Sequence, residues 1–137
     1  MFRVSREIDF CYGHRLLHYE GKCRHLHGHN GRAVITIETE SLDGQGMVID
    51  FNEIKRRING WIDEHLDHRM ILHRDDPIVP LLEKQGEPMY LLDVNPTAEN
   101  IAKLIADIAR GQGVPVVEVR LWETPHCFAT YIPKDEG

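Results

Sequence analysis

The sequence predicts an α+β fold: a four-stranded antiparallel sheet with two helices on one face, in the order β-β-α-α-β-β. Three observations carry the prediction. Two segments near the start and two near the end alternate apolar and polar residues, as half-buried strands do. Between them lie two segments with apolar residues at helical spacing. A chain of 137 residues is one domain in length, here residues 1–137, and buries a core without a disulfide or metal staple.

In residues 2–10, Phe2, Val4, Ile8 and Phe10 share a face with Arg6, opposite Arg3, Ser5, Glu7 and Asp9. Residues 11–28 lose this period and read mostly as loop. Alternation returns over 29–40, with Ala33, Ile35 and Ile37 facing one way, and this strand is expected to pair antiparallel with the first. Asp50-x-x-Glu53 is a capping-box variant. Behind it Phe51, Ile54, Ile58, Trp61, Ile62 and Leu66 form the apolar face of a helix over 51–65. Residues 69–96 hold four prolines and no clear period; a short helix near 77–84 breaks up the loop. Asn95 or Thr97 caps the next helix, whose apolar face is Ala98, Ile101, Ala102, Leu104, Ile105 and Ile108, and Gly111 or Gly113 stops it. Val117, Val119 and Leu121 alternate with Glu118, Arg120 and Trp122 in a third strand. Thr124-Pro125-His126 turns into a fourth, Cys127–Ile132.

Sixteen Lys+Arg against 22 Asp+Glu leave a net charge of −6, which argues against nucleic acid or an anionic membrane as partner. No apolar run is long enough to span a bilayer, and the first residues lack the apolar core of an export signal. Three cysteines do not make a disulfide framework; reduced thiols and a cytoplasmic location are expected.

Nine histidines carry the chemistry. His27-Gly28-His29 stands at the mouth of a strand, where side chains two apart point the same way. Parity puts both rings on the side of Ala33, Ile35 and Ile37. His14 has the parity of Phe10, so pairing of the two strands brings three imidazoles together. Three nitrogen ligands suit Zn²⁺ and leave a fourth position open; copper, nickel and iron suit imidazole too. Three separate hydrogen-bonded histidines are the plain alternative. Cys23, four residues before His27, is either a fourth ligand that closes a structural site or a base or nucleophile beside the metal. Residues 14–32 hold Arg15, Lys22, Arg24, Arg32 and five histidines against Glu20 alone, which favours a thiolate and an anionic ligand or is simply a solvated basic loop. Asp67-His68 orients an imidazole for proton transfer or simply complements a helix end. Glu123 either has the parity of the core face, where a carboxylate needs a partner such as a ligand's paired N–H groups, or lies solvated past the strand's end.

Together these residues resemble a family. Phe10-x-x-x-His14, Cys23-x-x-x-His27-Gly28-His29, Val48-Ile49-Asp50-Phe51, Leu66-Asp67-His68, Pro96-Thr97-Ala98-Glu99-Asn100 and Trp122-Glu123-Thr124 stand in its order. It is the 6-pyruvoyltetrahydropterin synthase/6-carboxytetrahydropterin synthase family, and the likeness covers nearly the whole chain. The resemblance implies a tunnelling fold, in which trimers close a twelve-stranded barrel and pair into hexamers with active sites between subunits. It implies Zn²⁺ on His14, His27 and His29, Cys23 as general base, Asp67 and His68 as proton relay, Glu123 as pterin anchor, and Thr97 and Glu99 beside the substrate. The implied reaction is conversion of 7,8-dihydroneopterin triphosphate to 6-carboxytetrahydropterin, with loss of acetaldehyde and triphosphate, on the route to queuosine. The alternatives are the pyruvoyl-forming branch and a non-catalytic zinc-binding assembly module. Tyr12-Gly13 before His14 and the long 73–95 segment depart from many members.

Overall fold

The computed structural model describes residues 1–134. In chain order its elements are β1 (Phe2–His14), β2 (His27–Thr39), α1 (Phe51–Ile54), α2 (Gly60–His65), β3 (Arg69–His73), α3 (Val79–Lys84), β4 (Met89–Leu92), α4 (Ala98–Gly111), β5 (Val116–Thr124) and β6 (Cys127–Tyr131). The α+β class stands, and the four predicted strands pair antiparallel as β1-β2-β5-β6. The sheet is larger than the four strands expected. It is mixed and six-stranded, in the order β4-β3-β1-β2-β5-β6, with β3 parallel to β1 and β4 parallel to β3. Both added strands lie in the proline-rich stretch. They are too short to show a period. Ile71 and Leu72 are buried on opposite faces of β3, so that strand reads as an apolar run rather than an alternation.

β1 also runs past its expected end. Cys11–His14 pair with β2 on one side and, from Tyr12, with β3 on the other, which turns predicted loop into strand. The β1–β2 ladder is thirteen residues long on each strand, from Phe2 opposite Thr39 to His14 opposite His27. Its inward face carries Ile8, Phe10, Ala33, Ile35 and Ile37, all buried as the alternation requires. A register shift between Thr36 and Ile37 turns Val116 inward, and Val117 is only half-buried.

The predicted helix over 51–65 is α1, a π-helical turn (Lys55–Asn59) and α2 in succession. Ile54, Ile58, Ile62 and Leu66 are buried; Phe51, expected on the apolar face, is exposed. Asp50 caps α1 by accepting from the Asn52 N–H at 2.8 Å. Glu53 does not complete a capping box; it pairs with Arg56 and Arg57, each at 2.8 Å. α4 packs Ala98, Ile101, Ala102, Ile105, Ala106 and Ala109 into the same core as α1, α2 and the inward face of the sheet. No helix among the described residues is long and apolar enough to cross a membrane.

Candidate active site

The ladder register decides where the histidines meet. His14 lies opposite His27 and Tyr12 opposite His29, so all three rings leave the same end of the same face. Their centroids are 4.5 to 5.0 Å apart, and the Nε2 atoms of His14 and His29 are 3.1 Å apart. Gly28 lets the strands close here: a Cβ would stand 3.1 Å from the Tyr12 carbonyl oxygen.

Two of the rings have fixed tautomers. His14 Nδ1 lies 2.7 Å from the Pro96 carbonyl, and His27 Nδ1 lies 2.7 Å from the His25 carbonyl. A carbonyl only accepts, so each Nδ1 carries the proton and each Nε2 keeps its lone pair. The Pro96 carbonyl is free because it precedes the cap of α4: Thr97 Oγ1 accepts from the Asn100 N–H at 3.1 Å. Asn95, the other predicted cap, instead clamps the loop after β1, with Oδ1 on the Leu17 N–H (2.8 Å) and Nδ2 on its carbonyl (3.0 Å).

Burial lowers the pKa of His14 and of His29, outweighing the nearby Glu123 carboxylate, which raises both. Neutral imidazole is the ligating form. Two nitrogens on a tetrahedral zinc, each at about 2.0–2.1 Å, stand about 3.4 Å apart. The 3.1 Å spacing and the lone-pair orientation therefore fit a metal of this class. The ligand atoms of the triad all lie within 4.8 Å of one another, so the fold gathers His14, His27 and His29 into a cluster that could hold a metal ion.

Glu123 lies beside this site. Its carboxylate oxygens are 3.8 Å from His14 Nε2 and 4.0 Å from His29 Nε2. It belongs to β5 and is only one-quarter exposed, so it is not a solvated residue past the strand's end. The Tyr12 hydroxyl donates to it at 3.2 Å. Burial first, then the carboxylate, pushes the Tyr12 phenol well above its ordinary value and keeps it a donor. The Tyr12 ring reaches this position over Gly31, where a Cβ would come within 2.9 Å of it.

Asp67 and His68 form a second cluster. The Cys11 N–H donates to Asp67 Oδ1 (2.9 Å), and the His68 N–H donates to the Cys11 carbonyl (2.7 Å). His68 Nδ1 lies 3.0 Å from Asp67 Oδ2, within hydrogen-bond reach. The His68 backbone has φ of +61°, the left-handed region, and its side chain is 79% exposed. Cys23 belongs to neither cluster. It sits half-buried in a 3₁₀ turn (Lys22–Arg24), where its carbonyl accepts the Leu16 N–H at 2.8 Å. Within one chain it is therefore not a fourth ligand of the triad. The positive charge around it is also smaller than the sequence suggests: Arg15 is bound to buried Asp76, and Arg32 to Asp9 and Glu7. Thr97 spends its hydroxyl on the cap of α4, and Glu99 is exposed on the first turn of that helix.

A family model described as 6-pyruvoyl tetrahydropterin synthase matches residues 3–134. The chain belongs to that family. A 6-carboxy-5,6,7,8-tetrahydropterin synthase of Rickettsia bellii (strain RML369-C) is 39% identical over 135 residues, covering 93% of this chain and 98% of that protein. An uncharacterized protein of Wolinella succinogenes has a structure similar at a TM-score of 0.80 and 29% identity, covering 97% of this chain and 98% of the other. The 6-pyruvoyl tetrahydropterin synthase of Caenorhabditis elegans shares the fold, with a TM-score of 0.72 at 24% identity over 97% and 96% of the two chains.

In this member of the synthase family, three supports of the site lie outside the motif side chains: Tyr12 as the donor to Glu123, the Pro96 carbonyl and the His25 carbonyl. Parity with Phe10 and His14 was a signal for Tyr12. The carbonyls left none, because any residue has one.

Proposed function

We propose that the chain, acting as one domain over residues 1–137, is a zinc-dependent lyase of the cytoplasm. It converts 7,8-dihydroneopterin triphosphate to 6-carboxy-5,6,7,8-tetrahydropterin, releasing acetaldehyde and triphosphate, a step toward queuosine. The observation that carries the reading is the convergence of three histidines in a chain 39% identical to a synthase named for that product.

His14, His27 and His29 hold the metal, which when bound stabilises negative charge on the substrate's side-chain oxygens as a Lewis acid. Cys23 takes a side-chain proton as general base. His68, oriented by Asp67, returns or relays it from a ring exposed enough to meet substrate. Glu123 accepts a pair of N–H groups from the pterin, and Tyr12 holds it in place. Thr97 and Glu99 flank the substrate, set there by the Pro96 contact with His14. Because Cys23 lies outside both clusters and Asp67–His68 lies on the face of β1 opposite the triad, a second copy bringing its triad and its Cys23 loop to the Asp67–His68 turn completes the site. This favours an oligomer with sites between subunits, a tunnelling-fold hexamer made of two trimers.

The test is product analysis. Zinc-loaded protein is incubated with the triphosphate, the pterins are weighed by mass spectrometry and aldehydes are trapped. Acetaldehyde with the 6-carboxy product is expected. A pyruvoyl product without aldehyde moves the chain to the other branch of the family, and zinc-loaded protein without turnover points to an assembly module.

A further inference from the structure

Cys11, Asp67 and His68 bring a thiol, a carboxylate and an imidazole together on the face of β1 opposite the histidine triad. Their ligand atoms all lie within 4.8 Å of one another. Strand alternation separates the two sites: Tyr12 and His14 point into the helix-covered face and Cys11 points out of it. The cluster lines an open cavity of about 840 Å³, whose wall also includes Arg32, Trp122 and Thr124.

Its geometry is set by backbone. The Cys11 N–H holds the Asp67 carboxylate, and the Cys11 carbonyl holds the His68 N–H. Parallel pairing of Tyr12 with Arg69 ties the next residues together. The left-handed backbone of His68 is uncommon for a residue with a Cβ and persists where surrounding contacts over-determine it. Three donors are thus gathered before any ion arrives. With the thiol ionised they offer sulfur, oxygen and nitrogen with two negative charges, a set suited to a borderline-soft divalent cation and leaving a coordination position for water.

We propose that Cys11, Asp67 and His68 form a second, inhibitory site for a divalent transition metal of the zinc class. The inhibition rests on the proton-relay role given above to Asp67 and His68: an ion bound there occupies the ring that carries the proton. The binding does not rest on that role. Binding displaces the thiol proton to solvent and forms a metal–sulfur bond, with no change of oxidation state.

Cobalt(II) is the probe, because thiolate ligation gives it a near-ultraviolet charge-transfer band. Protein with one equivalent of metal in the triad is titrated with cobalt and its metal content measured after gel filtration. The native chain is expected to take up a second ion with growth of that band. Cys11→Ser protein should stop at one ion without the band, and Cys23→Ala protein should take up the second ion with the band as the native chain does. In the native chain, cobalt should slow alkylation of Cys11 by iodoacetamide at least tenfold, read by peptide mass, a measurement that needs no variant to fold. A single ion per chain, a band that survives Cys11→Ser but is lost in Cys23→Ala, or unprotected Cys11 overturns the site. Excess zinc should cut turnover at least tenfold in the native enzyme and leave Cys11→Ser protein active. Equal inhibition of both overturns the inhibitory role. If the native protein has no turnover at all, the proposed reaction fails while the binding results still decide the site.

Discussion

The two clusters on β1 are built in opposite ways. The triad grows from the end of a long antiparallel ladder. His14 is buried, and backbone carbonyls fix the tautomers of two rings. The Asp67–His68 pair hangs from a turn, with His68 exposed and its backbone left-handed. Strands give the triad fixed donors, whereas the turn leaves His68 with reach and solvent. The proposed roles, metal ligand for the first and proton carrier for the second, follow that difference in exposure.

The largest break in this comparison is His27→Ala. It removes one of three ligands, and metal content and turnover are expected to vanish together while the circular dichroism of the sheet persists. Full turnover in metal-free variant protein would contradict the triad's role. Cys23→Ala sharpens the contrast from the other side. The variant should keep its fold and its metal, because the thiol is not among the triad's ligands. Its turnover should fall by about 10²–10⁴, the range of a lost acid–base group. Glu123→Gln retains the shape beside the triad but loses a charged acceptor, at a cost of about 1.5–3 kcal/mol. KM for the pterin should rise by about ten- to a hundredfold with metal content unchanged. Unaltered substrate affinity would remove Glu123 from the site.

The smallest effect on turnover is expected from a stability contact in the loop that carries Cys23. Arg15, at its start, donates through Nε to Asp76 Oδ2 at 2.8 Å, and Asp76 also accepts the Ile78 N–H at 2.9 Å. Arg15 holds the Asp76 carboxyl below its ordinary value of 3.8. A depressed carboxylate stabilises the fold above its unfolded pKa, and that stability is lost as pH falls through the lower folded value. Asp76→Asn should therefore cost about 2 kcal/mol at neutral pH. Native and variant melting temperatures should converge in acid below 3.8. A gap that stays constant into strong acid would show that the pair's charge is not what stabilises it.

Much of this was readable in the residues. Alternation in β1 and β2 placed Ile8, Phe10, Ala33, Ile35 and Ile37 inside. Carried four and six residues further by parity, it aimed His27, His29 and His14 at one point. What could not be read has physical causes. β3 and β4 are too short to show a period, and their partners are distant in sequence. Arg15 and Arg32 looked like free cations because their carboxylates, Asp76 and Asp9, come from other elements. Only the family resemblance joins Cys23 and Asp67–His68 in one relay. Only the fold shows that Cys11, not Cys23, stands next to that pair within a chain.

The central claim is an open three-histidine metal centre whose neighbouring thiol is not bonded to the ion. Zinc K-edge absorption tests it most directly, on Cys11→Ser protein loaded with one equivalent of zinc. The expected spectrum has three imidazole nitrogens and a lighter oxygen scatterer at about 2.0–2.1 Å and no sulfur. A sulfur shell at about 2.3 Å would make Cys23 a fourth ligand, close the site and contradict the catalytic reading.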